Sequence, residues 1–295
     1  MMEIIRIPRI MQDTSKGHIL RGRTIGFVPT MGALHEGHLS LVRRAKQEND
    51  ITTVSIFVNP TQFGPSEDFK QYPRDIEGDT AKLFKEEADI LFMPDAPLIY
   101  PEGFSTCVEV EKISERLCGA FRPGHFKGVA TVVTKLLNIV KPTKAYFGRK
   151  DFQQTIVIKQ LVKDLDMDAD IVVCPTLREQ DGLAMSSRNA NLDIRQREAA
   201  TVIYKCLIEA SDLIKSGIID ANYIKGVIQD GLLKEPAVSG LDYAGVYDPV
   251  TLSELSEIKG DTLLAVAVKI GDTRLIDNML VNQPQAGKRN ERQVT

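Results

Sequence analysis

Short apolar, β-branched runs alternate with longer helix-like segments through the first 174 residues of this 295-residue chain. TIGFV (24–28), ITTVSIFVN (51–59), DILFM (89–93), KAYFG (144–148) and ADIVVC (169–174) read as buried strands. HLSLVRRAKQEN (38–49), DTAKLFKEEA (79–88), HFKGVATVVTKLLNIV (125–140) and QQTIVIKQLVKDL (153–165) carry helical periodicity. Parallel neighbours need a crossover, so alternation of this length implies a mostly parallel sheet covered on both faces.

The pattern changes after the polar stretch CPTLREQDGLAMSSRN (174–189). Two helices are expected near 193–216 and 220–234, then strands at YAGVY (243–247) and TLLAVAVKI (262–270). A GDTR turn and LIDNMLV (275–281) follow. The expected fold class is therefore α/β: a Rossmann-like, doubly wound parallel sheet over residues 1–176, and a smaller α+β lid domain over 177–283. The polar residues 284–295 are expected to be a flexible tail.

Charge and cysteine content narrow the function classes. Lys plus Arg total 37 against 40 Asp plus Glu, a formal net charge of −3, whereas a nucleic-acid binder usually shows a basic excess. No apolar run reaches membrane-spanning length and no signal-peptide core opens the chain. Four scattered cysteines (Cys107, Cys118, Cys174, Cys206) form no C-x-x-C pair, which suits a reducing cytoplasm.

GFVPTMGALHEGHLSLV (26–42) places a strand, a glycine turn and a helix in succession. Ligands of open parallel sheets bind at the carboxyl ends of strands, and the next helix offers unpaired N–H groups and a positive dipole end to a phosphate. Neither G-x-x-x-x-G-K-[ST] nor G-x-G-x-x-G is present. In their place stands His35-Glu36-Gly37-His38, whose two imidazoles can reach the same side of the turn and donate to phosphate oxygens. Gly37 leaves room for a flat adenine against the backbone. Two histidines at this spacing also occur as metal ligands or as incidental surface residues, but no third Cys/His ligand is evident nearby.

The motif resembles the His-x-Gly-His signature of the nucleotidyltransferase superfamily, and Met185-Ser186-Ser187-Arg188 occupies the place of that superfamily's mobile phosphate loop. With FVNPTQFGPSEDFKQYPRD (57–75), RPGHFKGV (122–129), FGRKDFQQ (147–154) and KIGDTRLIDN (269–278), the chain resembles the pantothenate synthetase (pantoate–β-alanine ligase) family over about residues 20–281. The resemblance implies condensation of pantoate with β-alanine through a pantoyl adenylate, with ATP cleaved to AMP and pyrophosphate.

It also implies site residues. Met31, Gly32, Ala33, Leu34, His35, Glu36, Gly37 and His38 would lie along ATP, with His35 and His38 on its phosphates and His38 giving acid-type assistance. Lys150, beside Arg149, would neutralise phosphate charge, and Met185, Ser186, Ser187 and Arg188 would close over the pyrophosphate. Gly148, Asp151 and Leu177 would hold ribose and adenine, and Gln62 and Gln154 would grip pantoate, a primary amide being both donor and acceptor. Asn59, Tyr72, Arg74, Arg122 and His125 are candidates for support or substrate guidance.

Mg²⁺ is expected with the triphosphate, but its protein ligands stay unassigned, because the family's acidic pair after Tyr-Pro-Arg is here Gly78-Asp79. The resemblance further implies a homodimer, and the composition reads as that of a cytoplasmic protein. Two other classes remain open at this point: a nucleotidyltransferase that releases a stable adenylyl product, and a non-catalytic nucleotide-binding regulator.

Overall fold

The computed structural model describes residues 2–64, 69 and 72–282. Contacts divide the chain into two compact units, Met1–Asn191 and Leu192–Thr295. The stretch 177–191 therefore packs within the first unit, whereas the sequence placed it with the second. The expected tail (284–295) and parts of the 57–75 motif lie outside the described residues.

The first unit runs β1 (Glu3–Ile5), α1 (Pro8–Ile19), β2 (Ile25–Thr30), α2 (Glu36–Glu48), β3 (Ile51–Ile56), α3 (Ile76–Lys85) and β4 (Ile90–Phe92). It continues with the short α4 (Ala96–Ile99) and α5 (Cys118–Phe121), then α6 (His125–Val140), β5 (Lys144–Gly148), α7 (Phe152–Asp164) and β6 (Asp170–Cys174). Its six strands form one sheet in the order β1-β4-β3-β2-β5-β6, every pair parallel. Chain order reverses direction between β2 and β5, the topological switch point where open α/β sheets bind ligands.

Burial explains the layers. Val28, Val54 and Leu91 are fully buried in one cluster with Leu41, Val42 and Ala45 of α2 and Leu83 of α3. Side chains alternate along a strand, so the fully buried Phe27 turns to the other face. There α6 packs on α1 and α7 and reaches β2. The register pairs Thr30 with Ile56 and Gly148 with Cys174, so the loops leaving β2, β3, β5 and β6 emerge along one edge.

The second unit holds α8 (Ile194–Ala199), α9 (Val202–Lys215), α10 (Ala221–Leu233) and an antiparallel sheet of β7 (Val238–Tyr247), β8 (Thr262–Ile270) and β9 (Thr273–Val281). The one helix expected near 193–216 is two, because Thr201 turns both its N–H (3.2 Å) and its hydroxyl (2.8 Å) to the carbonyl of Glu198. Gly271 (φ +55°) and Asp272 make the two-residue hairpin between β8 and β9, where a positive φ favours glycine.

One contact fixes the loop after β3. A Cβ on Gly128 of α6 would fall 2.3 Å from the Thr61 carbonyl oxygen and 2.6 Å from the Gln62 nitrogen. Alanine is the better helix former by roughly 1 kcal/mol, but such a backbone overlap costs about 1–3 kcal/mol and pushes the 60–62 turn away. Gly128→Ala is expected to lower the urea midpoint and to weaken whatever Gln62 binds. An unchanged midpoint would show that the turn yields freely.

Candidate active site

An open cavity of about 220 Å³ lies at the carboxyl edge of the first unit's sheet, at the switch point. β2 supplies Pro29 and Thr30, the turn after it supplies Met31, His35, Gly37 and His38, and β5 supplies Phe147 and Gly148. Lys150, Asp151 and Gln154 follow β5, and Leu177 with Met185–Arg188 closes another side.

The histidine turn is organised by its own rings. His35 is the N-cap of α2 in extended conformation, and its Nδ1 accepts the Gly37 N–H at 3.2 Å. Nδ1 of His38, three residues on, accepts the His35 N–H at 3.3 Å. This is the reciprocal arrangement of a capping box, with imidazoles where a hydroxyl and a carboxylate usually act. With both Nδ1 atoms accepting, each neutral ring must carry its proton on Nε2. The rings lie 4.1 Å apart between centroids.

Their charge state follows from position. Burial, then the nearby Lys150 ammonium, brings the His35 pKa down to about 4. Burial, then His35 itself, brings His38 down to about 3. Both imidazoles are thus neutral Nε2–H donors near pH 7. Gly37 serves this fold directly, since a Cβ there would meet the His35 ring at 2.9 Å.

The residues between Met31 and His35 are held from behind. The carboxylate of Asp79, only 1% exposed, accepts the Leu34 N–H at 2.7 Å, and the Lys82 ammonium donates to the Leu34 carbonyl at 2.8 Å. Both backbone groups of Leu34 are therefore spent on α3, and its side chain is buried in the core. Gly32 (φ +85°) makes the turn, its N–H on Thr30 Oγ1 at 3.2 Å. Glu36 pairs with Arg43. Gly32, Ala33, Leu34, Glu36 and Arg149 are not on the cavity wall, whereas Met31, His35, Gly37 and His38 are.

Gln62 is oriented by a network. The side chain of Asn59, 1% exposed, accepts from Thr61 N (3.3 Å), Thr61 Oγ1 (2.9 Å) and the Tyr100 hydroxyl (2.8 Å), while its Nδ2 donates to the Gly128 carbonyl at 3.1 Å. Backbone partners thereby fix which end of the amide is which. Asn59 Nδ2 also donates to Gln62 Oε1 at 3.1 Å, so the Gln62 NH₂ is the end turned toward Met31 Sδ (3.0 Å). Sulfur is a weak acceptor, which leaves that NH₂ donor capacity for a ligand. His125 Nδ1 donates to the Gln62 carbonyl at 2.8 Å, and Arg122 lies 3.1 Å from His125 Nε2.

The adjacent glutamines divide their work. Gln153 is buried and its amide joins Cys118 N, Ile113 O and Arg116 O. Gln154, one residue on, is on the cavity wall. Across from it, Met185 N donates to Leu177 O at 3.0 Å and Arg178 bridges to Ala184, so residues 177–185 form a narrow ribbon. The ribbon presents Ser186, Ser187 and Arg188, with the Tyr72 and Ser187 hydroxyls 3.4 Å apart.

Lys150, Arg122 and Arg188 are on the wall, and among the described residues Asp151 is its one carboxylate. Among the same residues no three His, Cys, Asp or Glu side chains gather around a common point. Cations, hydroxyls and N–H donors lining one cavity suit a polyanion.

The sequence profile described as pantoate-beta-alanine ligase matches residues 3–280. The chain belongs to the pantoate–β-alanine ligase family. It is 59% identical over 280 residues to the pantothenate synthetase of Thermodesulfovibrio yellowstonii, covering 95% of this chain and all of that one. Identity to the pantothenate synthetase of Caldicellulosiruptor bescii is 52%, covering 95% and 99%. The crystal structure of pantothenate synthetase from Thermus thermophilus superposes with a TM-score of 0.90 at 41% identity, over 96% of this chain and all of that one. The ligase from Francisella tularensis, complexed with beta-gamma ATP and β-alanine, gives 0.78 at 40% identity over 95% and 98%.

Part of this ligase cavity was invisible beforehand. Val129, Val132, Val133 and Leu136 of α6 form an apolar wall. Their helical spacing marks one face, but spacing alone does not say whether that face meets core or ligand. Tyr100, which supports Asn59, carried no signal at all.

Acid should weaken this fold through the two imidazoles. Unfolded histidine takes up a proton near pH 6.5, while these rings resist until about 4 and 3. Unfolding therefore takes up protons between those values, and stability falls as pH drops through that window. In His38→Asn the stability-versus-pH slope between pH 6 and 5 should be shallower by about one proton, roughly 1.4 kcal/mol per pH unit. Equal slopes in urea titrations would mean that His38 is protonated in the folded protein.

Proposed function

We propose that this cavity joins pantoate to β-alanine by way of a pantoyl adenylate. The observation that carries the reading is the pair of neutral Nε2–H imidazoles at a helix N-terminus, facing one cavity with the Gln62 and Gln154 amides. The family's activity and the ATP and β-alanine bound by the Francisella tularensis relative support it.

In the first half-reaction a pantoate carboxylate oxygen attacks the α-phosphorus of ATP, and the bond to the pyrophosphate oxygen breaks. Gln62 and Gln154 hold pantoate, the NH₂ of Gln62 donating to it. His35 and His38 donate through Nε2 to phosphate oxygens as charge grows there. The N–H of a neutral imidazole is a very weak acid that keeps its proton, and the low pKa leaves no imidazolium at pH 7 to give one up, so His38 gives electrostatic assistance and not acid catalysis. Lys150, Ser186, Ser187 and Arg188 balance the leaving pyrophosphate, and Gly148, Asp151 and Leu177 hold the nucleoside. In the second half-reaction the β-alanine amine attacks the acyl carbon, the amide bond forms, AMP leaves and the amine gives up a proton.

Mg²⁺ belongs to this reading as the triphosphate's companion. Asp79 is spent on Leu34 and, among the described residues, the wall offers the single carboxylate Asp151, so the described residues do not form a protein cage for it. A homodimer in the cytoplasm completes the reading on family likeness, and the mass of the enzyme in solution tests the dimer.

Incubation with ATP and pantoate, with and without β-alanine, decides between this ligase and an enzyme that releases its adenylyl product. AMP and amide should appear together only when β-alanine is present; a stable adenylate that never yields amide overturns the reading. His38→Ala should slow adenylation by about 10²–10³-fold with ATP affinity little changed. Near-normal single-turnover adenylation would refute the role given to that ring.

A further inference from the structure

The ribbon that presents Ser186–Arg188 is held in shape by a residue outside the wall. Asn189 Nδ2 donates to Glu179 Oε1 at 2.9 Å and to the Ala184 carbonyl at 3.1 Å, and its backbone N–H donates to the Ser186 carbonyl at 3.0 Å. One residue thus ties the start, middle and end of the segment 179–189. Within the segment the Ser186 hydroxyl accepts the Arg188 N–H at 3.2 Å, which sets the backbone on which the guanidinium leaves.

The amide orientation is not interchangeable. Its NH₂ faces a carboxylate and a carbonyl, both acceptors, so turning it over would set oxygen against oxygen twice. Its own Oδ1 is buried without a hydrogen-bond partner. A buried acceptor left unmet is unfavourable, and that cost is carried at a position where only the donor end is in use. Glu179 gives the donor its importance. Its negative charge is felt at His35, so it stands near the end of the cavity where phosphates would collect. A carboxylate turned toward them would repel them, and the Asn189 amide holds one of its oxygens against the ribbon.

We propose that Asn189 is a positioning residue for the adenylation half-reaction, latching Glu179 and Ala184 so that Ser186, Ser187 and Arg188 are preset for pyrophosphate. The inference rests on the adenylation reading above. Asn189 touches no reacting atom in it. A latch of this kind acts on the step that moves pyrophosphate and not on aminolysis, which has no pyrophosphate left to hold.

The test therefore measures the halves separately: pyrophosphate release from ATP and pantoate, and amide formation from β-alanine and supplied pantoyl adenylate. Asn189→Ala should slow the first at least 10-fold, mainly in kcat, and leave the second and the pantoate KM within about twofold. Asn189→Asp should be worse than alanine, since it faces Glu179 with a second carboxylate. Glu179→Gln added to Asn189→Asp should restore part of the rate, because an amide then donates to a carboxylate across the same gap. Equal slowing of both halves, or no slowing of the first, overturns the latch. A variant that fails to fold is recognised by its urea midpoint, and the Asp/Gln pair then decides, absence of rescue counting against the proposal. If the wild-type enzyme cannot use supplied pantoyl adenylate, it is the adenylation reading itself that falls.

Discussion

The N–H of Gly37 points at Nδ1 of His35, and the N–H of His35 points at Nδ1 of His38. Both groups belong to the first turn of α2, where backbone donors have no helical partner and must be met by side chains. Filling that need with imidazole has a consequence that serine or aspartate would not have. Each ring is committed to one tautomer, and its remaining proton is carried on Nε2. Burial removes the other degree of freedom, the charge. The helix start is thereby converted from a set of unmet donors into two fixed donors that project further into the cavity.

Much else exists to keep that turn in place. Asp79 and Lys82 of α3 take both backbone groups of Leu34, and Gly32 admits the left-handed bend that brings the chain there. Gly37 is bare because the His35 ring folds over it. On the other side of the cavity, Asn59 does for Gln62 what the caps do for the histidines. Partners on the backbone define one amide, and that amide defines the next. Groups on the cavity wall, Gln62 and both histidines among them, are thus oriented by hydrogen bonds from their neighbours.

The sequence carried the sheet well because its signals are local. TLLAVAVKI and KAYFG became strands at the expected residues, and α6 spans the expected 125–140. The first strand and helix were not read: Glu3–Ile5 is three residues long, and α1 has no side-chain cap to announce it. HEGH, FGRKDFQQ and the Ser-Ser-Arg segment were legible as pieces. Their meeting in one cavity follows from the strand order, which places β2 beside β5 across the 118 positions that separate Ile25 from Thr143. The charge state of the histidines was not legible, since it depends on burial and on Lys150 arriving from another loop. Nor was the use of Asp79: the sequence left it without a role, and only the folded turn shows its carboxylate on Leu34.

The account's centre is that both imidazoles are neutral and protonated at Nε2 before any substrate arrives. Nitrogen-15 NMR of histidine-labelled enzyme at pH 7 reads this directly, since protonated and bare ring nitrogens have well-separated shifts. For His35 and His38 the expected result is an unprotonated Nδ1 and a protonated Nε2 on each ring, unchanged down to about pH 5. Two protonated nitrogens on either ring at pH 7, or a proton on Nδ1, would contradict it.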